Sequence, residues 1–215
     1  MTSREEILRQ LRAAPQPYRD HPPVRPRRHM VPLDDQSPAA LQRRFVQEAE
    51  SLGCVVSIGD NPSAAIQHIL DRLSDDRLVL SWDFTHIPLP GLSAALASAG
   101  VATADPDDSH VRVGLTGVDA ALAATGSLVL TTGPGRPRQA SLLPPVHIAV
   151  VAASQIVPDL ETWLSRQRDK GLDRFRRASN IMVISGPSRT ADIGMELVMG
   201  AHGPAALHII LRTDA

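Results

Sequence analysis

Apolar side chains recur every three to four residues in two segments, and each segment opens with the same combination of residue types. Ser37 is followed by Pro38, and Asn61 is followed by Pro62. Serine and asparagine are good N-cap residues, and proline suits the first helical position. The pattern predicts two helices that begin at these pairs. Their apolar positions are Leu41, Phe45, Ala49 and Leu52 in the first helix and Ile66, Ile69, Leu70 and Leu73 in the second.

Short apolar runs without polar alternation separate these and further helical patterns. Such runs are typical of strands buried on both faces, and strands that alternate with helices favour a parallel sheet. The sequence therefore predicts an α/β fold, a mostly parallel sheet with helices on both faces. One antiparallel or hairpin element is expected between residues 127 and 152, where no helix separates two strands. The predicted strands are 54–58, 78–82, 101–104, 111–115, 127–131, 147–152, 180–185 and 207–211, and the later helices are 92–99, 119–124, 158–168 and 190–199.

The first 36 residues differ in composition from the rest of the chain. Ser3 and Glu6 fit a capping box, and Ile7, Leu8 and Leu11 fit one face of a short helix. From residue 15 to residue 38 the chain holds seven prolines and several arginines, a composition that continues neither a helix nor an interior strand. We predict an N-terminal helix with a proline- and arginine-rich arm over residues 1–36 and a single α/β domain over residues 37–215.

Composition and charge narrow the classes of function. The formal net charge is -1 and aromatic residues make up 3% of the chain, so a nucleic-acid surface is not expected. Cys54 is the sole cysteine, which excludes a four-thiolate iron–sulfur cluster held by this chain alone. The sole lysine, Lys170, lies in a polar stretch unlike a phosphate-binding loop. Without a targeting segment or an apolar run long enough to span a bilayer, a cytoplasmic protein is expected.

The segment around Gly186 leads from a predicted strand into a predicted helix. In a parallel sheet such a turn lies at the carboxyl ends of the strands, where ligands bind, and the helix start presents free amides to an anion. Ser188 and Thr190 add hydroxyl groups, and Arg189 has the fork geometry that holds a carboxylate at two points. Alternatively, Ser188 or Thr190 is an ordinary N-cap and Asp192 complements the helix dipole. Spacing alone favours this second interpretation.

Two acids and two histidines are further candidates. Asp192 and Glu196 are four residues apart on the predicted helix, so they would share a face, as carboxylates that divide acid and base roles do. His147 and His202 have the chemistry of a general acid or base, the alternatives being a core histidine and a turn residue. The histidine spacings typical of metal sites are absent from the sequence, so no metal site is predicted.

A glycine- and proline-rich loop follows the predicted strand 127–131. Gly133, Pro134 and Gly135 stand beside two arginines, Arg136 and Arg138. An anion-binding loop has this composition, although the segment matches neither the dinucleotide nor the phosphate-loop fingerprint. Turn chemistry alone also accounts for its glycines and prolines. Residues 82–84, at the end of a predicted strand, either line the same cleft or cap the core.

Three ordered blocks in the second half resemble a known family. They are residues 125–127 (TGS), 138–148 (RQASLLPPVHI) and 186–192 (GPSRTAD), the last followed by HGP at 202–204. The chain is similar to the lactate utilisation protein C family, whose members carry a LUD domain, and the likeness is dense from about residue 114 to residue 211. The resemblance implies an α/β fold like that of sugar-phosphate isomerases and CoA transferases. It also implies a role in oxidising L-lactate to pyruvate with two partner proteins that carry iron–sulfur clusters, this chain itself holding no cofactor.

The resemblance supplies no agreed catalytic residue, so the roles form a hypothesis. The 188–190 segment would bind a small carboxylate while Arg138 closes from a facing loop. His202 or His147 would take the proton lost by lactate, with Asp192 orienting the histidine. The predicted ligand-binding residues are Thr125, Gly126, Ser127, Arg138, Ser141, Gly186, Pro187, Ser188, Arg189 and Thr190.

Two other functions remain open from the sequence. One is a free-standing enzyme acting on a phosphorylated or CoA-linked small molecule, by analogy with the fold, in which Glu196 would be the nucleophile for CoA transfer. The other is a scaffold whose conspicuous loops form a subunit interface, although interface cores favour aromatic residues over glycine and proline. A homo-oligomer is compatible with each of these functions.

Overall fold

The computed structural model describes residues 3–14, 31–108, 110–191 and 197–214. Most of the proline- and arginine-rich arm, together with Asp192 and Glu196, lies outside these ranges. The helices are α1 (Ser3–Ala13), α2 (Pro38–Ser51), α3 (Pro62–Leu73), α4 (Leu92–Ser98), α5 (Leu160–Asp169) and α6 (Asp173–Arg177). The strands are β1 (Val55–Gly59), β2 (Leu78–Ser81), β3 (Ala102–Thr103), β4 (Val113–Thr116), β5 (Ala120–Leu122), β6 (Ser127–Thr131), β7 (Val146–Ala152), β8 (Ile156–Val157), β9 (Ile181–Ile184), β10 (Arg189–Ala191), β11 (Leu197–Met199) and β12 (Ala206–Arg212).

The two helices predicted from capping pairs begin where expected. The Ser37 hydroxyl accepts a hydrogen bond from the Ala40 amide at 3.4 Å at the start of α2. At the start of α3, the Asn61 side-chain oxygen accepts one from the Ala64 amide at 2.9 Å. In each case the side chain satisfies an amide that has no partner within the helix, and the proline that follows fits the first turn. Local sequence is thus sufficient to start both helices.

The main sheet has six strands in the order β1-β12-β7-β4-β2-β3, and every neighbouring pair is parallel. Its central strands β4 and β7 are buried along almost their whole length, as the continuous apolar runs predict. Helix α3 contacts β1 and β12, and α2 contacts β1. The predicted α/β fold with a mostly parallel sheet is confirmed.

A second sheet has the order β8-β5-β6-β9, and it corrects three predictions. Residues 119–124 do not form a helix: although alanine and leucine favour helices, Ala120–Leu122 is a fully buried strand paired with β6 and β8. Of the antiparallel or hairpin element expected within 127–152, the antiparallel alternative is right, since β6 pairs antiparallel with β5 and β9. The hairpin alternative is wrong, because β7 joins the parallel sheet. Strand β9 lies at an edge, with Val183 48% exposed, and is not the buried strand predicted there.

The helix predicted over residues 190–199 is also wrong for the residues described. Arg189–Ala191 and Leu197–Met199 form an antiparallel pair in which Thr190 lies opposite Val198. Both facing residues are β-branched and suit a strand better than a helix. Over the described residues 187–191 no helix start follows Gly186, so the helix amides on which the predicted anion site depended are not found there.

Two groups of buried residues form the interior. The larger fills the space around the parallel sheet and includes Phe45, Ile69, Trp82, Leu115 and Ile209. The smaller centres on Trp163 and packs the second sheet against α5. Helix α1 forms as predicted but buries none of its residues, and its Ile7 and Leu11 are exposed. Among the residues described, every helix is too short or too polar to cross a bilayer.

Candidate functional site

Three chain segments meet beyond the carboxyl ends of β2, β4 and β6. After β2 the chain makes a single 3-10 turn that ends at His86, after β4 it reaches Asp119, and after β6 it forms the loop that carries Arg136. The Asp119 carboxylate accepts a 2.6 Å hydrogen bond from the Thr131 amide at the end of β6. The carboxyl ends of parallel strands are where α/β proteins bind ligands. The placement makes this the candidate site.

The loop after β6 is a tight turn built from Gly133, Pro134, Gly135 and Arg136. The Arg136 amide donates to the Gly133 carbonyl at 2.9 Å, and Gly135 has a φ of +70°. Proline followed by a residue of positive φ is typical of a type II turn. A Cβ at Gly135 would lie 3.0 Å from the Cβ of Asp83, whose amide donates to the Gly135 carbonyl at 2.7 Å. Glycine thus lets the turn lie directly against the chain that follows β2.

The turn presents Arg136 to a set of fixed partners. Its Nη1 donates to Asp119 Oδ1 at 3.0 Å and to Thr131 Oγ1 at 3.2 Å. The Asp119 side chain is 3% exposed and the Arg136 side chain 21%, so this ion pair is largely withdrawn from water. The Arg136 guanidinium also lies 5.3 Å from the ring centroid of Trp82, within the range of a cation–π contact. The guanidinium is therefore held in one orientation.

His86 completes this arrangement. Arg136 Nη2 lies 3.3 Å from His86 Nδ1. Because a guanidinium has only donors, Nδ1 acts as the acceptor, and this assigns the imidazole proton to Nε2. The neighbouring Asp83 carboxylate accepts hydrogen bonds from the Thr85 amide and hydroxyl, and these bonds lower the pKa of Asp83. His86 is thus held beside Arg136 at the side of the site.

Two adjoining cavities open around Arg136, with volumes of about 370 Å³ and 390 Å³. Both are lined by Thr132, Gly133 and Arg136. We call their combined surface the arginine cleft, whose lining includes His86, Thr132, Gly133, Arg136, Arg138, Asp173 and Arg177. The Asp173 carboxylate pairs with Arg176 at 3.5 Å. Asp119 offsets the charge of Arg136, whereas Arg138 and Arg177 have no ionic partner among the residues described. The cleft can therefore attract and orient a small anion.

The carboxyl end of α2 gathers residues from two of the blocks that carry the family likeness. Gly126, with φ +66°, approaches this helix so closely that a Cβ would lie 2.7 Å from the Cα of Ala49. A Cβ at Gly186 would lie 2.9 Å from the Leu52 carbonyl oxygen. Arg189 Nη2 donates to that same oxygen at 2.6 Å. A guanidinium there satisfies a carbonyl that the helix leaves free and complements the helix dipole. Arg189 thus caps a helix end, which the sequence did not predict.

A chain of hydroxyl groups lies beside this helix end. Ser127 Oγ is 2.9 Å from Thr125 Oγ1 and 2.8 Å from Ser185 Oγ. Ser127 is buried, whereas Thr125 and Ser185 are exposed. The chain joins the start of β6 to the end of β9, which run antiparallel. The predicted ligand-binding residues Thr125 and Ser127 are therefore brought together with Ser185, and the bonds of Ser127 hold two strands to each other.

His147 lies in the core and not in a cleft. It is the second residue of β7 and is 1% exposed. Its Nε2 shares a 2.8 Å hydrogen bond with Thr116 Oγ1. Burial lowers the pKa of His147 to about 3, so the imidazole is neutral. Enclosure on all sides speaks against the predicted role in proton transfer.

The other predicted residues fall into separate places. Arg138 lies near Thr132 and Asn180, at one end of the β6–β9 pair, whereas Arg189 contacts the end of α2 near the other end. Arg138 therefore does not face the 188–190 segment. Ser141 is buried and donates to the Arg138 carbonyl at 3.1 Å. The remaining positions are a buried Pro187, a Ser188 whose Oγ accepts from the exposed His202 amide at 3.4 Å, and a half-buried Thr190 in β10.

Comparison with known proteins places the chain in a family. The family model of the LUD domain matches residues 105–211. Lactate utilization protein C of Halalkalibacterium halodurans is 34% identical, over 72% of this chain and 70% of that protein. The chain belongs to the lactate utilization protein C family. The member from Shouchella clausii is likewise 34% identical, over 71% of each chain. The Bacillus subtilis member is 39% identical, but the match covers 49% of this chain and 44% of that protein.

A solved structure supports the same fold for this member of the lactate utilization protein C family. A DUF162 family protein from Deinococcus radiodurans superposes with a TM-score of 0.60, covering 85% of this chain and 100% of that one. Sequence identity across the superposition is 21%. The likeness therefore concerns the fold.

Sequence reasoning about this family member missed His86, Asp119 and Arg177. The glycine–proline loop with its two arginines was a usable signal for Arg136 and Arg138. Asp119 was hidden because residues 119–124 were assigned to a helix. His86 and Arg177 stand far from the loop in sequence, and the tertiary structure alone brings them to it. Among the residues described, no three histidine, cysteine, aspartate or glutamate side chains are grouped to hold a metal ion.

Proposed function

We propose that this chain serves in the utilisation of L-lactate and binds a small carboxylate in the arginine cleft. The names of its relatives support the first part. The observation that carries the second is Arg136, fixed by Asp119, Thr131 and His86 beyond the carboxyl ends of the parallel strands. An arginine held in this way is organised before a ligand arrives, so little side-chain entropy is lost on binding.

In this proposal the residues of the cleft have different roles in binding the carboxylate. Arg138 and Arg177 are exposed cations without an ionic partner among the residues described, so they draw in the carboxylate. Arg136 forms the fixed wall against which the ligand is oriented. His86, which lines the cleft beside Arg136, would donate a hydrogen bond to a hydroxyl or keto oxygen next to the carboxylate. A 2-hydroxy acid and its 2-keto product both carry that pair of groups.

Electron transfer in this proposal belongs to partner proteins that carry iron–sulfur clusters. The chain itself would hold no cofactor and would present or retain the carboxylate beside them. Cys54 does not contribute a reactive thiol, because its burial raises the pKa of the thiol to about 11. The described part of this chain would therefore contribute anion binding and contacts with its partners.

Calorimetric titration with L-lactate and with pyruvate, at constant ionic strength, tests the cleft. The double variant Arg138→Gln, Arg177→Gln should bind about thirtyfold more weakly, since each of the two lost charge-assisted contacts at an exposed position contributes on the order of 1 kcal/mol. Arg72→Gln, an exposed arginine on α3 outside the cleft, is the matched control. Equal affinity of the double variant and the wild type for both ligands would contradict the proposed site.

A further inference from the structure

A separate cavity of about 390 Å³ lies alongside α5. Its wall includes Asp119, Gln155, Trp163, Arg166, Gln167 and Lys170. We call it the α5 cavity. The Asp119 side chain lines this cavity and also pairs with Arg136 of the arginine cleft, so the two spaces are neighbours divided by an ion pair.

One face of α5 supplies most of the polar groups. Trp163, Arg166, Gln167 and Lys170 are spaced by three, four and seven residues from the first, which places them on one side of the helix. Trp163 is 3% exposed and packs against Phe175 with ring centroids 5.4 Å apart. The tryptophan therefore gives the cavity a rigid apolar wall, and the other three side chains give it polar groups.

One buried group of the cavity wall lacks a partner. Trp163 Nε1 is buried without a hydrogen bond among the residues described. Gln167, 8% exposed, lines the same cavity. By contrast, Gln155 donates to the Val118 carbonyl at 2.6 Å and accepts from the Ala152 amide at 2.9 Å. Unpaired buried groups are rare in native proteins and cost stability, so they indicate a place where a further molecule supplies the missing atoms.

The charges of the α5 cavity favour an anion. Arg166 and Lys170 are exposed, and neither has an ionic partner among the residues described. The two carboxylates at its edge are offset by arginines outside it, Asp119 by Arg136 at 3.0 Å and Asp173 by Arg176 at 3.5 Å. The uncompensated charge facing the cavity is therefore positive.

We propose that the α5 cavity is a second ligand site, which takes a small molecule through a carboxylate or phosphate group. The anionic group lies between Arg166 and Lys170 and accepts a hydrogen bond from the Gln167 amide. The apolar part of the molecule packs against Trp163. This site is distinct from the arginine cleft and does not depend on the function proposed for that cleft.

The two tryptophans of the chain allow the two sites to be observed separately. Trp163 lines the α5 cavity, and Trp82 lies beside Arg136. In the full-length Trp82→Phe variant, the fluorescence of Trp163 is followed while inorganic phosphate or acetate replaces chloride at constant ionic strength. The expected result is a saturable change with at least one of the two anions, and the stronger response tells whether phosphate or carboxylate is preferred.

Matched substitutions decide whether the change arises in the α5 cavity. Arg166→Gln or Lys170→Gln, made in the Trp82→Phe chain, should raise the apparent dissociation constant of the anion about tenfold. Each substitution removes a charge-assisted contact to the anion. Arg168→Gln removes an exposed charge from the same last turn of α5 without altering the cavity wall, and should leave the response unchanged. A linear response to both anions, or an equal loss in the Arg168→Gln control, would overturn the proposal.

Discussion

At the scale of single residues, environment decided which candidate groups are free to act. His147 and His86 are both histidines near the ends of strands, but one is enclosed beside Thr116 and the other borders an open cleft. Arg189 at the start of β10 and Arg136 in a loop are both arginines of the sequence-predicted candidate segments, but the first binds the end of α2 and the second faces the cleft. Residue type therefore identified the chemistry that is available, whereas burial and hydrogen-bond partners determined whether it is used.

The enclosure of His147 leads to a prediction about stability against pH. In the unfolded chain its imidazole takes up a proton near the ordinary pKa of about 6.5. In the fold the pKa is lowered to about 3, so between these values the unfolded state binds more protons. The stability that the fold gains from keeping His147 neutral is fully present above about pH 6.5. It is lost as the pH falls toward 3. From about pH 7.5 to about pH 5, the free energy of unfolding should fall by about 2 kcal/mol more in the wild type than in His147→Gln.

Urea unfolding at a series of pH values measures this difference. His202→Gln, which removes an exposed histidine from a turn, is the matched substitution. Glutamine at position 147 retains a polar group that can reach Thr116, so the variant remains foldable. If the His147→Gln variant loses as much stability with acid as the wild type, the buried neutral histidine is not the cause.

At the scale of elements, the carboxyl end of α2 shows why two blocks of the sequence contain glycine. Gly126 and Gly186 have positive φ values of 66° and 88°, and both bring their backbone against this helix end. Positive φ costs other residues on the order of 1 kcal/mol, and a side chain there would also overlap the helix. The same residues had suggested a ligand loop, but the close approach of helix and strand is sufficient to require them.

Alanine substitutions at Gly126 and Gly100 separate the cost of backbone strain at positive φ from the cost of overlap with α2. Gly126→Ala should lower the free energy of unfolding by about 3 kcal/mol, because the Cβ both strains the backbone and overlaps Ala49. Gly100→Ala is the control: Gly100 has a similar φ of +72° with nothing within 4 Å of the added Cβ, so a loss of only about 1 kcal/mol is expected. Equal losses in the two variants, measured by urea unfolding, would show that overlap with α2 contributes nothing.

Elements with strong local signals could be predicted, and those set by pairing could not. Ser37 and Asn61 cap their helices through atoms within three residues, so the local sequence contains the whole cause. Residues 120–122 have a helix-like pattern, but β6 and β8 pair with them on both sides and determine their conformation. Residues 189–191 and 197–199, predicted within or beside one helix, pair instead with each other. When a segment can form ladder bonds on both sides in a buried sheet, tertiary pairing outweighs helix propensity.

At the scale of the whole molecule, two groups of notable residues occupy different places. One surrounds the carboxyl end of α2 and joins β6 to β9, and the other forms the arginine cleft near the opposite end of those strands. The α5 cavity lies beyond the Asp119–Arg136 pair. Under the two proposals, small anions bind on both sides of this ion pair.

The proposed partnership is tested on the whole protein in its native cells. Purification through an affinity tag on the full chain should recover proteins that carry iron–sulfur clusters, detected by mass spectrometry and by iron and sulfide content. Cells that produce only the Arg138→Gln, Arg177→Gln variant should grow more slowly with L-lactate as the carbon source, whereas cells with Arg72→Gln should grow as the wild type does. Recovery of the chain alone, together with normal growth of the double variant, would contradict the proposed function.

The sequence by itself determined the α/β class, the capped helices, the strands of the parallel sheet and the likeness to the lactate utilization protein C family. These features follow from apolar periodicity, capping residues and short blocks, all of which are local along the chain. Only the tertiary structure decided that His147 is enclosed, that Arg189 caps α2, and that Arg136 meets His86 and Asp119. Those outcomes depend on contacts between residues far apart in sequence. Packing, and not residue type, determines which of these side chains border open space.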